Sequence, residues 1–484
     1  MGFEGTDKNN ISYTAGQLRN APIWSAAYRR ARPLKTFLTI FVLTGIFTVF
    51  ITRPEQTVAT GALIMTAVII VLASLRLLGC VLALRRRPIA LPDPDIWPFY
   101  TVLVPMRDEA HMVETLMNGL ARLDYPASRL EIMMISEAND PPTTAAVLAH
   151  LRPPFKSVVV PVSLPATKPK ALNVAMMQAK GEIVTIYDAE DRPHSGQLKN
   201  AARALGADKN LAAVQAPLSY YNSDQNWLTR QFTLEYDGLF KIWNPLLTAI
   251  GLPFPLGGTS NHIKRRALDE CGWWDPHNVT EDADLSFRLA AYGYRIGCID
   301  LPTGEEALSD YDNWKKQRMR WQKGYIQTWD VHMRKTKGLG VRRFTGLQIT
   351  LAATLLTSLL HPIAIIGLCA VLCLSAAGLM TPPPSGFYFV MAYGYACALA
   401  VAATGAYLSG RTFLWKSLVF TPVYWLLLLS PTVLAAIEFF TAPFHWHKSK
   451  HGRAKIDEDA DKEIILHIDE RAAPRHVSGH GQND

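Results

Sequence analysis

Two kinds of apolar pattern divide the chain. Residues 34–52 and 60–84 are near-continuous apolar runs, each close to the ~20 residues a helix needs to cross a bilayer core. A short turn with Arg53, Pro54 and Glu55 joins them, so they read as a helical hairpin with both ends on one side. From Pro92 to about Asp330 the apolar residues fall instead into short runs. YTVLVPM (100–106), EIMMIS (131–136), SVVVPV (157–162), EIVTIYD (182–188) and LAAVQA (211–216) have the length and β-branched content of buried strands. HMVETLMNGLARL (111–123) and PKALNVAMMQA (169–179) carry helical spacing between them. Strands alternating with helices predict an α/β domain with a mostly parallel sheet. No GxGxxG follows the first strand, which argues against a dinucleotide site.

Apolar segments return after Phe344. Residues 346–378 exceed one crossing, and His361-Pro362 is expected to divide them into an interfacial helix and a crossing. Residues 386–409 form another crossing. Residues 413–440 carry Pro422 and Pro431 and are read as a crossing with an extra or re-entrant segment. The organisation expected is therefore a cytosolic N-terminus and two crossings (1–91), a soluble domain (92–335), C-terminal membrane and interfacial helices (336–455) and a polar, disordered tail (456–484).

The net charge of +8 changes little in this picture, because much of it flanks apolar runs: Arg29, Arg30 and Arg32 before the first, Arg85, Arg86 and Arg87 after the second. That is the positive-inside pattern, and it assigns the basic residues to a membrane rather than to nucleic acid. The six cysteines have no metal spacing and read as small apolar fillers. The polar, basic first 33 residues read as no cleavable leader. Six of the thirteen histidines lie between His445 and His480, where a solvated tail is the simpler reading than a metal site.

The acidic residues collect where chemistry is expected. In a doubly wound sheet, ligands bind outside the carboxyl ends of the strands. Asp108 and Glu109 follow the first strand, Glu137 and Asp140 the second, and Asp188, Glu190 and Asp191 the fourth. Carboxylates so gathered need a cation, and hard oxygen ligands select Mg²⁺ or Mn²⁺. Asp188 and Glu190 of DAED offer two such ligands, and Lys168 and Lys170 could add positive charge for a diphosphate. TEDADL (280–285) follows GGTSNH (257–262), read as a flexible polar loop, and opens a helix. Thr280 suits an N-cap, while one carboxylate of the motif could serve as a general base. In NWKKQRMRWQKGYIQTW (313–329), Gln317, Arg320 and Trp321 stand at i, i+3 and i+4, neighbours on one helix face. The stripe Trp314, Trp321, Tyr325 and Trp329 predicts a helix lying at the membrane surface.

Taken in order, VLVPMRDE, SEAND, KPKALN, DAED, GGTSNH, TED and QRMRW resemble the motifs of the processive family 2 glycosyltransferases, such as cellulose, curdlan and hyaluronan synthases. The resemblance covers roughly residues 95 to 330. It implies a GT-A-type glycosyltransferase domain, a Rossmann-like mostly parallel sheet inserted between transmembrane helices. By resemblance, Asp108, Glu137 and Asp140 contact the nucleoside of a UDP-sugar, with Lys170, Gln317 and Arg320 on the donor and its diphosphate. Asp188 and Glu190 hold Mg²⁺ or Mn²⁺, Asp282 is the base, and Trp321 with Glu281 faces the acceptor. Departures are Glu-Ala-Asn-Asp at 137–140 in place of paired aspartates, and Glu190 where Asp is commoner. PFHWHKSKHG (443–452) resembles a cytosolic gating loop, with Lys448 and Ser449 as nucleotide contacts. The activity implied is inverting polymerisation of a UDP-sugar, UDP-glucose first, into a β-linked polysaccharide. It would take place at a bacterial inner membrane, on a growing polysaccharide acceptor and with an envelope export partner. The alternative is transfer of one sugar to a lipid, as in ceramide glucosyltransferases. A transporter or scaffold with a dead transferase domain would require loss of Asp188, Asp282 or Trp321, and all three are present.

Overall fold

A seven-stranded sheet forms the middle of the soluble part in the computed structural model, which describes residues 24–27, 44, 51–86, 91–334 and 339–445. Its strands are β1 (Tyr100–Pro105), β2 (Leu130–Glu137), β3 (Phe155–Val160), β4 (Ile183–Ile186), β6 (Leu211–Gln215), β8 (Asn261–Lys264) and β9 (Arg295–Cys298), in the order β3-β2-β1-β4-β8-β6-β9. Short strands β5 (Arg192–Pro193), β7 (Leu218–Tyr220) and β10 (Thr303–Glu305) make a second sheet, ordered β5-β10-β7. All pairings in the large sheet are parallel except those of β8. Val102 stands opposite both Ile132 of β2 and Thr185 of β4.

The strands read as unbroken apolar runs because helices cover both faces. Leu103, Met133 and Ile263 enter one core beneath the helix Lys168–Met176, while Val102, Val104, Ile132 and Met134 enter the other beneath the helices Val113–Leu120 and Gln197–Ala207. The predicted strands and helices between 100 and 216 are all present. GGTSNH differs: Asn261 and His262 belong to β8 rather than to a flexible loop. His262 is wholly buried, paired with the Tyr100 hydroxyl at 2.6 Å and the Gln197 side-chain Oε1 at 3.1 Å. Those partners satisfy a polar side chain that the sequence pattern excludes from a central strand.

Four described helical runs are long and apolar enough to cross a membrane: Thr60–Arg85, Val341–Ala376, Ser385–Leu408 and Thr412–Thr441. The expected break at His361-Pro362 is absent, and Pro362 lies inside the helix Ala353–Ala376. A break there would expose backbone groups to lipid. His361 instead pairs with the Tyr395 hydroxyl at 2.8 Å and the Pro422 carbonyl at 3.3 Å, tying this turn to its neighbours. The last run is segmented, as its prolines require: Pro422 and Pro431 sit in the first turns of the helices Thr421–Leu426 and Leu429–Thr441. Most of the first apolar run (34–52), the candidate gating residues Lys448 and Ser449, and the tail lie outside the described residues.

The long apolar helices are seated directly on the α/β domain. Gly405 of the helix Ser385–Leu408 crosses the helix Trp227–Gly238 so closely that a Cβ there would meet the Gly238 nitrogen at 2.7 Å. Just beyond it, buried Arg411 donates to Asp237 at 2.8 Å, to Ser219 Oγ at 2.7 Å and to the Tyr220 carbonyl at 2.8 Å. This contact brings the carboxyl edge of the sheet and the membrane helices around one cavity.

Candidate active site

A cavity of about 860 Å³ opens at the carboxyl ends of β1, β2 and β4. Asp108 lines it from a left-handed backbone conformation (φ 56°), which aspartate tolerates better than most residues. The turn is braced from below. Asp140 accepts the Asp108 N–H at 2.6 Å and the Thr143 N–H at 3.4 Å, so Asp140 serves as a strut and helix cap and is not part of the cavity lining. Glu137 does reach the cavity and pairs with Lys170 at 3.3 Å. Lys170 is fully buried, donating also to the Pro161 carbonyl at 3.2 Å. The lysine that reaches the cavity is Lys168, one helical residue pair earlier.

Lys168 forms an ion pair with Asp188 and donates to the Gly258 carbonyl at 2.9 Å. Burial works against its charge, but Asp188 and Glu281 outweigh burial and raise its pKa above the ordinary lysine range. Asp191 turns back beneath the motif. Its Oδ2 accepts the Asp188 N–H at 2.7 Å and the Thr259 hydroxyl, and its Oδ1 is buried with no hydrogen-bond partner. Burial pushes the Asp191 carboxyl far up, and the charges of Asp188 and Glu190 push it further. Glu305, on β10, behaves in the same way: burial first, then Asp191, Glu190 and Asp188, raise its pKa. No spacing along the chain marks Glu305, because it ends a three-residue strand whose position depends on its partners.

Among the described residues no three His, Cys, Asp or Glu side chains close around a single ion position. A divalent cation that also coordinates phosphate requires only one or two protein carboxylates. Mutual repulsion within the Asp188, Glu190, Asp191 and Glu305 group, and the unpartnered Asp191 Oδ1, fit a shared cation of that kind.

Asp282 opens the helix Glu281–Ala291 and lines the cavity beside Gly258, where a Cβ would stand 3.3 Å from its Oδ2 and 3.8 Å from Lys168 Nζ. Burial raises its pKa, opposed by the Ala283 N–H it accepts at 2.7 Å and by Lys168 and Arg320. Glu281 also lines the cavity, and burial and then the Asp282 charge raise its pKa. Thr280 occupies the N-cap position, but its hydroxyl does not cap the helix and turns to Asn278 Oδ1 at 3.4 Å. The helix is anchored instead by Asp284, fully buried between Arg288 at 2.7 Å and His332 at 2.9 Å.

The helix Tyr311–His332 presents Gln317, Arg320 and Trp321 together to the cavity. Gln317 Oε1 is buried and has no hydrogen-bond partner. Trp321 stacks on Tyr236 with ring centroids 6.3 Å apart at 28°. Beneath it, Arg318 makes a two-pronged pair with Glu235 at 2.7 and 2.6 Å, donates to the Tyr424 hydroxyl at 2.9 Å, and sits 4.9 Å over the Trp321 ring. The expected surface helix is therefore an interior one. Trp314 is fully buried, Trp314 and Trp321 pack with Tyr424 and Trp425 of the last apolar run, and Tyr325 and Trp329 pack with Phe287 and with Leu347 and Leu351 of the run Val341–Ala376. Beyond Trp321 the cavity walls belong to the long apolar helices and are mostly apolar, with Leu72, Ala398, Val401 and Ala402 beside Thr354, Thr357 and Arg76.

The family model described as "Glycosyl transferase family group 2" matches residues 183–443. Beta-monoglucosyldiacylglycerol synthase of Trichormus variabilis is 30% identical over 250 residues, 50% of this chain and 53% of that protein. The protein of the same name from Synechocystis is 28% identical over 243 residues, 48% of this chain and 50% of that protein. "Probable glycosyltransferase YdaM" of Bacillus subtilis is 25% identical over 240 residues, 47% and 55% of the two chains. The chain spans about half the length of these relatives. Two of the three carry a lipid-glucosylating name, whereas the motifs resemble those of polysaccharide synthases. Among solved structures, mannosyltransferase PcManGT from Pyrobaculum calidifontis, in complex with GDP-Man and Mn²⁺, matches with a TM-score of 0.52 at 22% identity, covering 78% of this chain and 98% of that one. That likeness shows the fold, a GT-A-like domain with a mostly parallel sheet.

Proposed function

We propose that this chain, which belongs to glycosyl transferase family group 2, transfers one sugar from a UDP-linked donor, glucose first among them, to the hydroxyl of a membrane lipid. Sugar transfer from an activated donor follows from the family. The acceptor is our reading. It is carried by one observation: the cavity runs from the strand-end carboxylates past Trp321 to apolar walls on membrane helices. The names of the relatives support it over the polysaccharide acceptor that the motifs suggest.

The donor lies along the carboxyl edge of the sheet, with Asp108 and Glu137 toward the nucleoside. Asp140 acts through the Asp108 turn, and Lys170 through Glu137. Asp188 and Glu190 would hold Mg²⁺ or Mn²⁺, which would supply charge stabilisation to the departing diphosphate. Lys168 and Arg320 add fixed positive charge at the same place, and Gln317 Oε1 accepts a hydrogen bond from a sugar hydroxyl. Trp321 packs against the apolar face of the acceptor, with Glu281 beside it. Asp282, ionised, accepts the proton of the acceptor hydroxyl. The oxygen attacks the anomeric carbon from the face opposite the diphosphate, the carbon–diphosphate bond breaks, and the configuration inverts.

The test is purified full-length chain in phospholipid vesicles, with a panel of UDP-sugars, Mn²⁺ or Mg²⁺, and diacylglycerol. The expected product is an extractable β-glycosyl lipid identified by mass spectrometry, lost in Asp282→Asn. A high-mass polymer formed without added lipid would refute the lipid acceptor. Equal turnover by Asp282→Asn would remove Asp282 as base.

A further inference from the structure

The membrane end of the cavity holds a charge that sugar transfer does not use. Between Thr60 and Leu84, Arg76 is the only charged residue. It stands nine residues before Arg85, about 14 Å along the helix axis. Its direction is fixed by its face. Ala73, three residues before it, and Gly79 and Cys80, three and four after it, are buried, while Val71, Leu77 and Leu78 are exposed on the other side. Arg76 therefore points inward, and with Leu72 it lines the cavity. Among the described residues it forms no ion pair or hydrogen bond. Ionisable side chains within membrane helices are costly and face interiors where a partner neutralises them. The helix Ser385–Leu408 sets Cys397 near it and lines the same cavity with the small apolar side chains of Ala398, Val401 and Ala402. An occupant that suits both surfaces has an anionic group for the guanidinium and an acyl chain for the wall.

We propose that Arg76 binds the phosphate of an anionic membrane lipid at the inner end of this cavity. The inference deepens the lipid-acceptor reading and rests on the cavity receiving lipid. A planar guanidinium recognises phosphate by two parallel hydrogen bonds, and a primary ammonium as a point charge only. The site therefore weakens in Arg76→Lys and weakens further in Arg76→Gln. The basic cluster Arg85 to Arg87 remains in both variants, so general attraction to an anionic surface is unchanged.

The test measures binding directly, without donor. The full chain is purified in detergent with phosphatidylglycerol, and bound lipid is counted by native mass spectrometry for the wild type, Arg76→Lys and Arg76→Gln. Arg76→Leu is added as a variant that relieves the cost of a buried cation and so keeps the fold. The expected result is one retained phosphatidylglycerol in the wild type, weakened by about tenfold or more in Arg76→Gln and Arg76→Leu, and not displaced by inorganic phosphate. Equal retention in the wild type and Arg76→Leu would overturn the site, and displacement by inorganic phosphate alone would make it a free-phosphate site instead. Loss of sugar transfer to every lipid, with Arg76-dependent binding intact, would refute the proposed acceptor and leave this site standing.

Discussion

The contact between Gly324 and Thr280 spaces Asp282, the proposed base, from Trp321, the proposed acceptor face, and one methyl group should disturb it. Gly324 lies on the helix Tyr311–His332, three residues after Trp321, and Thr280 lies two residues before Asp282. A Cβ on Gly324 would stand 2.7 Å from Thr280 Cβ, and closer still to its Cγ2 and Oγ1. Carbon pairs are favourable at about 3.5–4.0 Å, so the two helices must separate by about 1 Å. Overpacking of this size costs about 1–3 kcal/mol, which the ~1 kcal/mol better helix propensity of alanine offsets in part. Gly324→Ala should therefore fold, with a modestly lowered Tm. Its catalytic effect is larger, since a misplacement of about 1 Å can cost ~10²-fold in rate. Donor turnover on vesicles gives kcat/KM, and intrinsic fluorescence on heating gives the Tm. Thr280→Gly combined with Gly324→Ala removes the facing atoms and should recover most of the loss. A Gly324→Ala enzyme as active as the wild type would refute the reasoning, because it would mean the two helices do not fix each other's spacing.

The other expectations follow from charges around the cavity. If Asp282 is the base proposed above it works ionised, and burial raises its pKa, so activity should fall with decreasing pH already above the ordinary carboxylate range. Lys168 holds that pKa down, so Lys168→Met should move the acid limb of kcat/KM to higher pH; an unmoved limb would remove this coupling. Glu235→Ala leaves the Arg318 guanidinium buried without its carboxylate, and should cost about 3–5 kcal/mol of stability, read as a large drop in Tm with or without donor. Asp191→Asn removes one charge from the carboxylate group, and half-saturation by Mn²⁺ should then need at least about tenfold more metal (~1.4 kcal/mol). An unchanged Mn²⁺ titration would show that Asp191 only braces the loop through Asp188 and Thr259.

Local patterns in the sequence carried most of the fold and failed where partners lie far along the chain. β1, β2 and β4 were legible because burial on both faces demands an unbroken apolar run, and this placed Asp108, Glu137 and Asp188 at one edge. β8 was not legible, because Asn261-His262 reads as a loop until Tyr100, 162 positions away, and Gln197, 65 positions away, satisfy the imidazole. The same limit explains the Tyr311–His332 helix. Its Lys, Arg and Trp content describes a membrane-surface helix, but Arg318 is neutralised by Glu235 and roofed by Trp321, so the helix can enter the interior. The two lysines of KPK look equivalent in sequence, yet helical geometry turns Lys168 to the cavity and Lys170 to Glu137. Glu305 and Arg76 were passed over for one reason. Each is a single charge whose meaning depends on what faces it: three carboxylates for Glu305, and for Arg76 a small apolar wall across a cavity. Motif order therefore reaches the chemistry common to sugar transfer. On the reading proposed above, what distinguishes one acceptor from another lies in isolated residues at the apolar end of the cavity, where Arg76 is the charge we assign to an anionic lipid.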